Sequence, residues 1–572
     1  MVYHNFFRIY SVGRVDLYYI KARLKLGLVC LKPKLRGHDN ALLLCRGDEL
    51  ARLAVGIVFS ELYLDKNYVI TPFCDYIDLA LPVAAVGVDN PVSVQPQIIC
   101  GLAPDGGLYV PESLPQLTLE DIKALGKENY KERALKIMKP FLDEFTEPEL
   151  KTMIARAYGD NFDSDSAAPV HFLDDNTAVL ELWHGPTCAF KDMALQMLPH
   201  LLTASLKKCG EKRKVCILVA TSGDTGKAAL EGFADVENTK ILVFYPHNGV
   251  SDVQQLQMIT QTGENVGVAA VCGNFDDAQT GVKQIFGDRE LTEELSENGW
   301  ILSSANSINW GRLLPQIVYY FSAYCDYANS GRISYGDKLD FVVPTGNFGN
   351  ILACWYAKAM GLPVGKLICA SNQNNVLADF FARGVYDRNR TFYTTISPSM
   401  DILVSSNLER LLYSICKSDR EVAAYMTELA KAGKYEVSDA IKTVINEHFV
   451  GGYCSDDDTK AAINKVYNEN GYLMDTHTAV AYKKLADFRR DTDRTAPAVV
   501  VSTASPYKFC DSVLDALGQG KDAPGTELIE KLSEVTNTKV PKPLAGLDKR
   551  EKRFGLVVDK QDMKSVVADF LK

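Results

Sequence analysis

A lysine stands where local electrostatics argue against one. In WHGPTCAFKDMALQ (Trp183 to Gln196), Phe190, Met193 and Ala194 begin an apolar pattern that continues through Met197, Leu198 and Leu201. That spacing is one face of an amphipathic helix. Gly185 and Pro186 break structure ahead of it, and Thr187 is placed to cap a helix start. Lys191 therefore falls in or near a first turn, where a cation opposes the helix dipole. An amine kept there, partly desolvated, has a lowered pKa and can form a Schiff base with a carbonyl. Two other stretches suit anions. TSGDTGK (Thr221 to Lys227) offers the backbone N–H groups of a strand-to-helix turn, with Ser222, Gly223, Asp224 and Thr225 at its centre. GNFGN (Gly346 to Asn350) has two glycines that let backbone approach a phosphate or carboxylate closely. Neither is a nucleotide loop: the first has Thr221 where a Walker glycine is required and Ala228 after its lysine, and the second lacks dinucleotide-type spacing.

An amine that must react, beside a phosphate cradle, is the pairing that pyridoxal phosphate requires. The elements that must position these groups repeat one unit three times: an apolar run, a polar loop, then a helical pattern. The repeats are KVCILVATSGDTGKAALEGF (Lys214 to Phe233), LDFVVPTGNFGNILACWYAKAMG (Leu339 to Gly361) and APAVVVSTASPYKFCDSVLDALG (Ala496 to Gly518). Continuous apolar strands feeding helices imply an α/β architecture with parallel sheet covered on both faces. Ligands in such folds bind beyond the carboxyl ends of the strands, where all three loops would lie. LTLEDIKALG (Leu117 to Gly126) opens a helical region, and REVAAYMTELAKAG (Arg420 to Gly433) has the pattern of a surface helix.

Composition narrows the classes further. The chain has 572 residues, 47% hydrophobic and 23% charged, enough for two or three packed domains. A net charge of -10 argues against nucleic acid as a partner. The 14 cysteines are scattered without CxxC spacing, and the eight histidines form no HExxH, so no metal site is expected. The start lacks a secretory signal, and LALPVAAVGV (Leu79 to Val88) is far too short to span a membrane. The expectation is a cytoplasmic protein. Residues 1–88 are basic at first and then aperiodic; they are read as an extension of unknown role, a translated stretch upstream of the true start being favoured over an organelle-targeting segment.

HGPTCAFKD (His184 to Asp192), TSGDTG (Thr221 to Gly226), SANSINWGRLLPQIVYYF (Ser304 to Phe321), VPTGNFGN (Val343 to Asn350), MDILVSSNLER (Met400 to Arg410), DTHTAVAY (Asp475 to Tyr482) and STASPYKF (Ser502 to Phe509) occur in one order. From about Asp89 onward the chain resembles threonine synthase, within the fold type II enzymes of pyridoxal phosphate. The resemblance implies two parallel-sheet α/β domains with the cofactor in the cleft between them, plus an N-terminal helical region. It implies that Lys191 carries pyridoxal 5'-phosphate, that Gly346, Asn347, Phe348, Gly349 and Asn350 hold its phosphate, and that Thr503 bonds the pyridine nitrogen. Ser222, Gly223, Asp224 and Thr225 would line the substrate carboxylate and the cofactor face. Asn306, Ser307, Asn309, Arg312 and Lys508 would meet the substrate phosphate.

The implied reaction turns O-phospho-L-homoserine and water into L-threonine and phosphate, by γ-elimination followed by β-addition of water. Departures are visible: Ser505 and Tyr507 stand where many relatives carry His and Ala, and the family's Ser-Thr-Arg triplet near the start is missing. A phospholyase or dehydratase of the same cofactor family, or a catalytically silent homologue, are the rivals. The implied organisation is an N-terminal family-specific region over 89–180, a lysine-bearing α/β domain over 181–335, a second α/β domain over 336–520, and a helical tail over 521–572. The assembly is expected to be a monomer or homodimer.

Overall fold

In the computed structural model the described residues are 98, 99, 101, 103, 106–520, 523 and 525–572, with the backbone of five short strands between Arg8 and Thr71. The chain divides into two compact units, one of residues 1–66 and 81–91, the other of residues 67–80 and 92–572. In the first unit two antiparallel pairings are described, Arg8–Val12 with Val15–Tyr19 and Val29–Leu31 with Leu43–Cys45. The rest of the stretch read as an extension of unknown role lies outside the described residues.

The second unit is built on two sheets. One has five parallel strands in the order Trp300–Ser303, Lys214–Ala220, Thr239–Pro246, Val266–Cys272, Leu556–Asp559. The other has six, in the order Phe449–Tyr453, Val364–Ser371, Leu339–Pro344, Ala498–Ser502, Thr177–Glu181, Val170–Phe172, and only the last is antiparallel. KVCILVA buries all but its first residue, and LDFVVP and AVVVS are buried throughout. Strands apolar on both faces persist because crossover helices cover both faces of a parallel sheet.

Chain order does not follow sheet membership. Val170–Phe172 and Thr177–Glu181 precede the lysine yet join the sheet of Leu339–Pro344. The tail over 521–572, expected to be helical, has helices Gly525–Thr536 and Met563–Leu571 but also supplies Leu556–Asp559 to the five-stranded sheet. Helices Leu119–Leu125, Tyr130–Met138 and Glu147–Ala157 form the N-terminal helical region, the first and third opened by capping boxes at Thr118 and Thr146. Arg133 ties them to the buried helix Trp310–Asn329, donating to Ser322 Oγ and Asp326 Oδ1, each at 2.7 Å. Among the described residues no helix is long and apolar enough to cross a membrane.

Candidate active site

The helix expected over Phe190 to Leu201 is two helices, Asp192–Leu195 and Leu198–Cys209, and Lys191 is the residue before the first. Thr187 caps neither. Its N–H and hydroxyl both donate to Asp192, to Oδ2 at 2.8 Å and Oδ1 at 2.6 Å, which folds HGPTC back over the helix start. A four-residue helix has little macrodipole, so the position of Lys191 at its start costs little. Burial dominates instead: it pushes the Lys191 amine below its ordinary range, opposed by Asp224 and reinforced by Lys508 and Arg312. The amine lies 3.6 Å from Asp224 Oδ2 and 3.5 Å from Ser399 Oγ.

TSGDTG links Lys214–Ala220 to the helix Asp224–Phe233. Thr221, not Ser222, organises this turn: its Oγ1 accepts from Gly223 N at 3.0 Å and Gly226 N at 2.9 Å. Gly223 has φ +133°, and a Cβ there would meet the Gln254 amide at 2.5 Å, so only glycine fits. Gln254 Nε2 donates to Asp224 Oδ1 at 2.9 Å. Lys508, which is 1% exposed, closes on the same oxygen at 2.6 Å and also donates to Thr187 O. Burial alone would raise the Asp224 carboxyl, but Lys508 and Lys191 hold it far below the usual carboxylate range. An ionised Asp224 repels a substrate carboxylate. In the structure its charged partners are Lys508 and Lys191. The same pair keeps Lys508 engaged within the protein.

GNFGN joins Leu339–Pro344 to the helix Gly349–Ala359. Phe348 sits at φ +64°, a conformation costing a bulky residue about 1 kcal/mol or more, held by burial against Phe381. The loop's carbonyls are used: Gly346 O accepts from Ser405 Oγ, and Asn347 O accepts from Asn407 Nδ2 at 2.9 Å. Asn407 is aimed by Arg410, whose Nη1 donates to its Oδ1 at 2.5 Å. Among the described residues the N–H groups of Asn347, Phe348 and Gly349 make no hydrogen bond, as a helix start leaves them. Asn350 Oδ1 accepts from the hydroxyls of Tyr319 and Tyr320, whereas its buried Nδ2 has no partner.

The SANSIN segment divides by role. Asn309 caps the helix Trp310–Asn329 through Gly311 N, and its amide donates to Ile98 O and Ser304 O; its polar atoms are spent within the fold. Ser307 borders the GNFGN loop, its Cβ 4.0 Å from where a Cβ on Gly349 would lie, and Asn306 is half-buried beside it. Arg312 is buried, donates Nη1 to Ala305 O at 2.7 Å, and leaves Nε without a partner. Thr503 accepts Phe190 N at its carbonyl, and Ser505 N donates to Cys188 O, so STASPYKF zips onto the lysine segment. Ser505 and Tyr507, the departures from the pattern, fix that loop from behind: Tyr507 OH bonds Thr538 O and Oγ1.

These groups fit pyridoxal phosphate. A desolvated amine, three unused N–H groups, and the unpaired Asn350 Nδ2 and Arg312 Nε are what a phosphate-bearing aldehyde would engage. Sequence reasoning missed Thr221, Gln254, Ser399, Asn407 and His477. The S-x-x-Q capping box at Ser251 was a signal for Gln254, and Asn407 and His477 lie inside motifs whose residues had no assigned work.

Comparison with known proteins agrees. A family model described as "Pyridoxal-phosphate dependent enzyme" matches residues 177–450, flanked by "Threonine synthase N terminus" over 85–158 and "Threonine synthase, C-terminal" over 478–568. The chain is 42% identical over 453 residues to Threonine synthase of Pseudomonas aeruginosa, covering 78% of this chain and 93% of that one. It is 45% identical over 432 residues to Threonine synthase-like 1 of Homo sapiens, covering 73% of this chain but only 57% of the relative. The solved structure of pyridoxal-phosphate-bound Threonine synthase from Brucella melitensis superposes with TM-score 0.76 at 37% identity, covering 89% of this chain and all of that one. The yeast Threonine synthase structure gives 0.77 at 33%, covering 88% and 99%. The fold and site therefore define a pyridoxal-phosphate-dependent enzyme, and its cofactor is pyridoxal 5'-phosphate. Within that class, the chain belongs to the threonine synthase family.

Proposed function

We propose that the protein is a threonine synthase, a carbon–oxygen lyase acting on a phosphate ester, which converts O-phospho-L-homoserine and water into L-threonine and phosphate in the cytoplasm. The observation that carries this reading is the placement of the Lys191 amine, 3.6 Å from Asp224 and 3.5 Å from Ser399, in a site whose opposite loop leaves anion donors unused. When bound, the cofactor supplies the electron sink that acidifies the substrate Cα and Cβ. The chain's part is attachment, proton handling and anion binding. Lys191 would anchor the cofactor and, as a free amine, would take the Cα and Cβ protons, deliver one to Cγ as it becomes the methyl group, and return one to Cα after water has added. Its burial favours the neutral amine, the form a base must take.

The N–H groups of Asn347, Phe348 and Gly349, with Asn350, would hold the cofactor phosphate, and Thr503 would bond its pyridine nitrogen. Ser222, Gly223 and Thr225 bind the substrate carboxylate. Arg312, with Asn306 and Ser307, receives the leaving phosphate, where charge develops as the Cγ–O bond breaks. Asp224 and Lys508 compensate each other and set the field around the amine. Water then adds at Cβ, and its proton goes to the released phosphate held by those residues.

The test is incubation with O-phospho-L-homoserine while phosphate and threonine are followed together. Equal yields of both support the reading. Phosphate with 2-oxobutyrate and ammonia in place of threonine would move the protein to the second reading, a phospholyase. Lys191→Ala is expected to abolish the visible absorbance of attached cofactor and to lower turnover by at least about a thousandfold; an active, coloured variant would sink the assignment.

A further inference from the structure

Among the described residues Ser399 is the uncharged side chain to which the Lys191 amine donates a hydrogen bond, and its position is not left to its own loop. It lies in the turn Pro398–Met400, and its N–H donates to His477 Nε2 at 3.1 Å. The nitrogen that accepts an N–H carries no proton, so His477 is the neutral Nδ1–H tautomer. Nδ1 faces Asp475 Oδ2 at 2.7 Å, which fixes that tautomer and the ring angle. Both side chains are almost wholly buried, and the Phe509 ring packs 4.9 Å from the imidazole. Asp475 also caps the helix Thr476–Thr492 through the N–H groups of His477 and Thr478. The cap needs only the carboxylate. An imidazole two residues on, aimed at another loop, is additional to it.

The same turn meets the phosphate loop: a Cβ on Gly346 would lie 2.5 Å from Ser399 O. Ser399 is thus wedged between Lys191 and GNFGN. We propose that His477, oriented by Asp475, is a positioning residue for Lys191, holding the Ser399 hydroxyl against the amine so that the free lysine keeps one orientation. The inference rests on the reading of Lys191 as the cofactor's lysine. The charged groups facing the amine, Asp224, Lys508 and Arg312, set its protonation, and none of them restrains it through a neutral hydrogen bond as Ser399 does.

The test uses Ser399→Ala, His477→Ala, His477→Gln and the double alanine variant. In cofactor-free protein, Lys191 is labelled with an amine acylating reagent across pH and read by peptide mass spectrometry. An accepting hydroxyl favours the ammonium, so Ser399→Ala is expected to lower the labelling midpoint by about half a unit. His477→Ala should give the same shift, the double variant no more than either, and His477→Gln, which restores an acceptor, should recover most of it. In loaded enzyme Ser399→Ala and His477→Ala are each expected to lower kcat about tenfold with KM within about twofold, and His477→Gln to recover most of that loss. An unmoved midpoint in Ser399→Ala overturns the proposal, as does His477→Ala behaving additively with it. The labelling arm needs no cofactor. A coloured, active Lys191→Ala protein would defeat the functional reading and leave the labelling result to stand separately. If His477→Ala does not fold, Ser399→Ala and His477→Gln decide.

Discussion

Asp192 and Thr221 show how single side chains hold a site whose chemistry lies elsewhere. Burial lifts the Asp192 carboxyl from 3.8 to about 6, against the two Thr187 hydrogen bonds that lower it. Between about pH 4 and 6 the folded chain therefore binds a proton that the unfolded chain has released. Stability drawn from Asp192 falls as pH rises through that window and is level above it. Asn at this position can accept Thr187 N–H and donate to its hydroxyl. Relative to Asp192→Asn, the wild-type unfolding free energy is expected to drop by up to about 3 kcal/mol from pH 4 to 6; parallel curves in urea titrations would refute this. Thr221→Val removes the acceptor of two buried N–H groups, and a loss of about 2 kcal/mol in the same measurement is expected.

At the scale of elements, function depends on strand-to-helix loops that approach each other too closely for side chains. Gly346 is the sharpest case, because a methyl group there would meet backbone oxygen, which cannot rotate away. Gly346→Ala must therefore push GNFGN and the Ser399 turn apart. Its expected effect is a cofactor affinity weakened at least about tenfold with the global fold retained, checked by titrating cofactor-free protein with pyridoxal phosphate and by circular dichroism. Retained affinity would mean that the two loops do not share one cradle. Phe348 makes the complementary point: a strained backbone is kept by burying the aromatic side chain that causes the strain.

For the whole molecule, two sheets contribute one loop each to the Asp224–Lys508 ion pair, so the cleft exists only when both are assembled. The C-terminal segment serves the five-stranded sheet, with Leu556–Asp559 at its edge and Met563, Val567 and Leu571 buried in the cluster on one face. Met563→Ala is expected to cost about 2 to 5 kcal/mol by leaving a cavity beside Gly281, without changing KM. Denaturant unfolding and steady-state kinetics on one preparation check both halves.

Much of this was legible along the chain because it is local. Apolar runs such as KVCILVA, and glycines at strand ends, declare strand, loop and helix through burial and backbone geometry alone. Lys191 and the GNFGN loop stood out by type and spacing. What the sequence by itself determined is therefore the repeated strand–loop–helix unit and the loops in which the candidate lysine and glycines lie. Tertiary structure alone decided that Thr187 serves Asp192 rather than a helix end, that Asn309 is a cap, and that Asp224 faces Lys508 across 284 positions of chain. It also brought His477 to Ser399. The reason is physical: hydrogen bonds and ion pairs between distant loops depend on how two sheets pack, and no periodicity along one segment records where the other will lie.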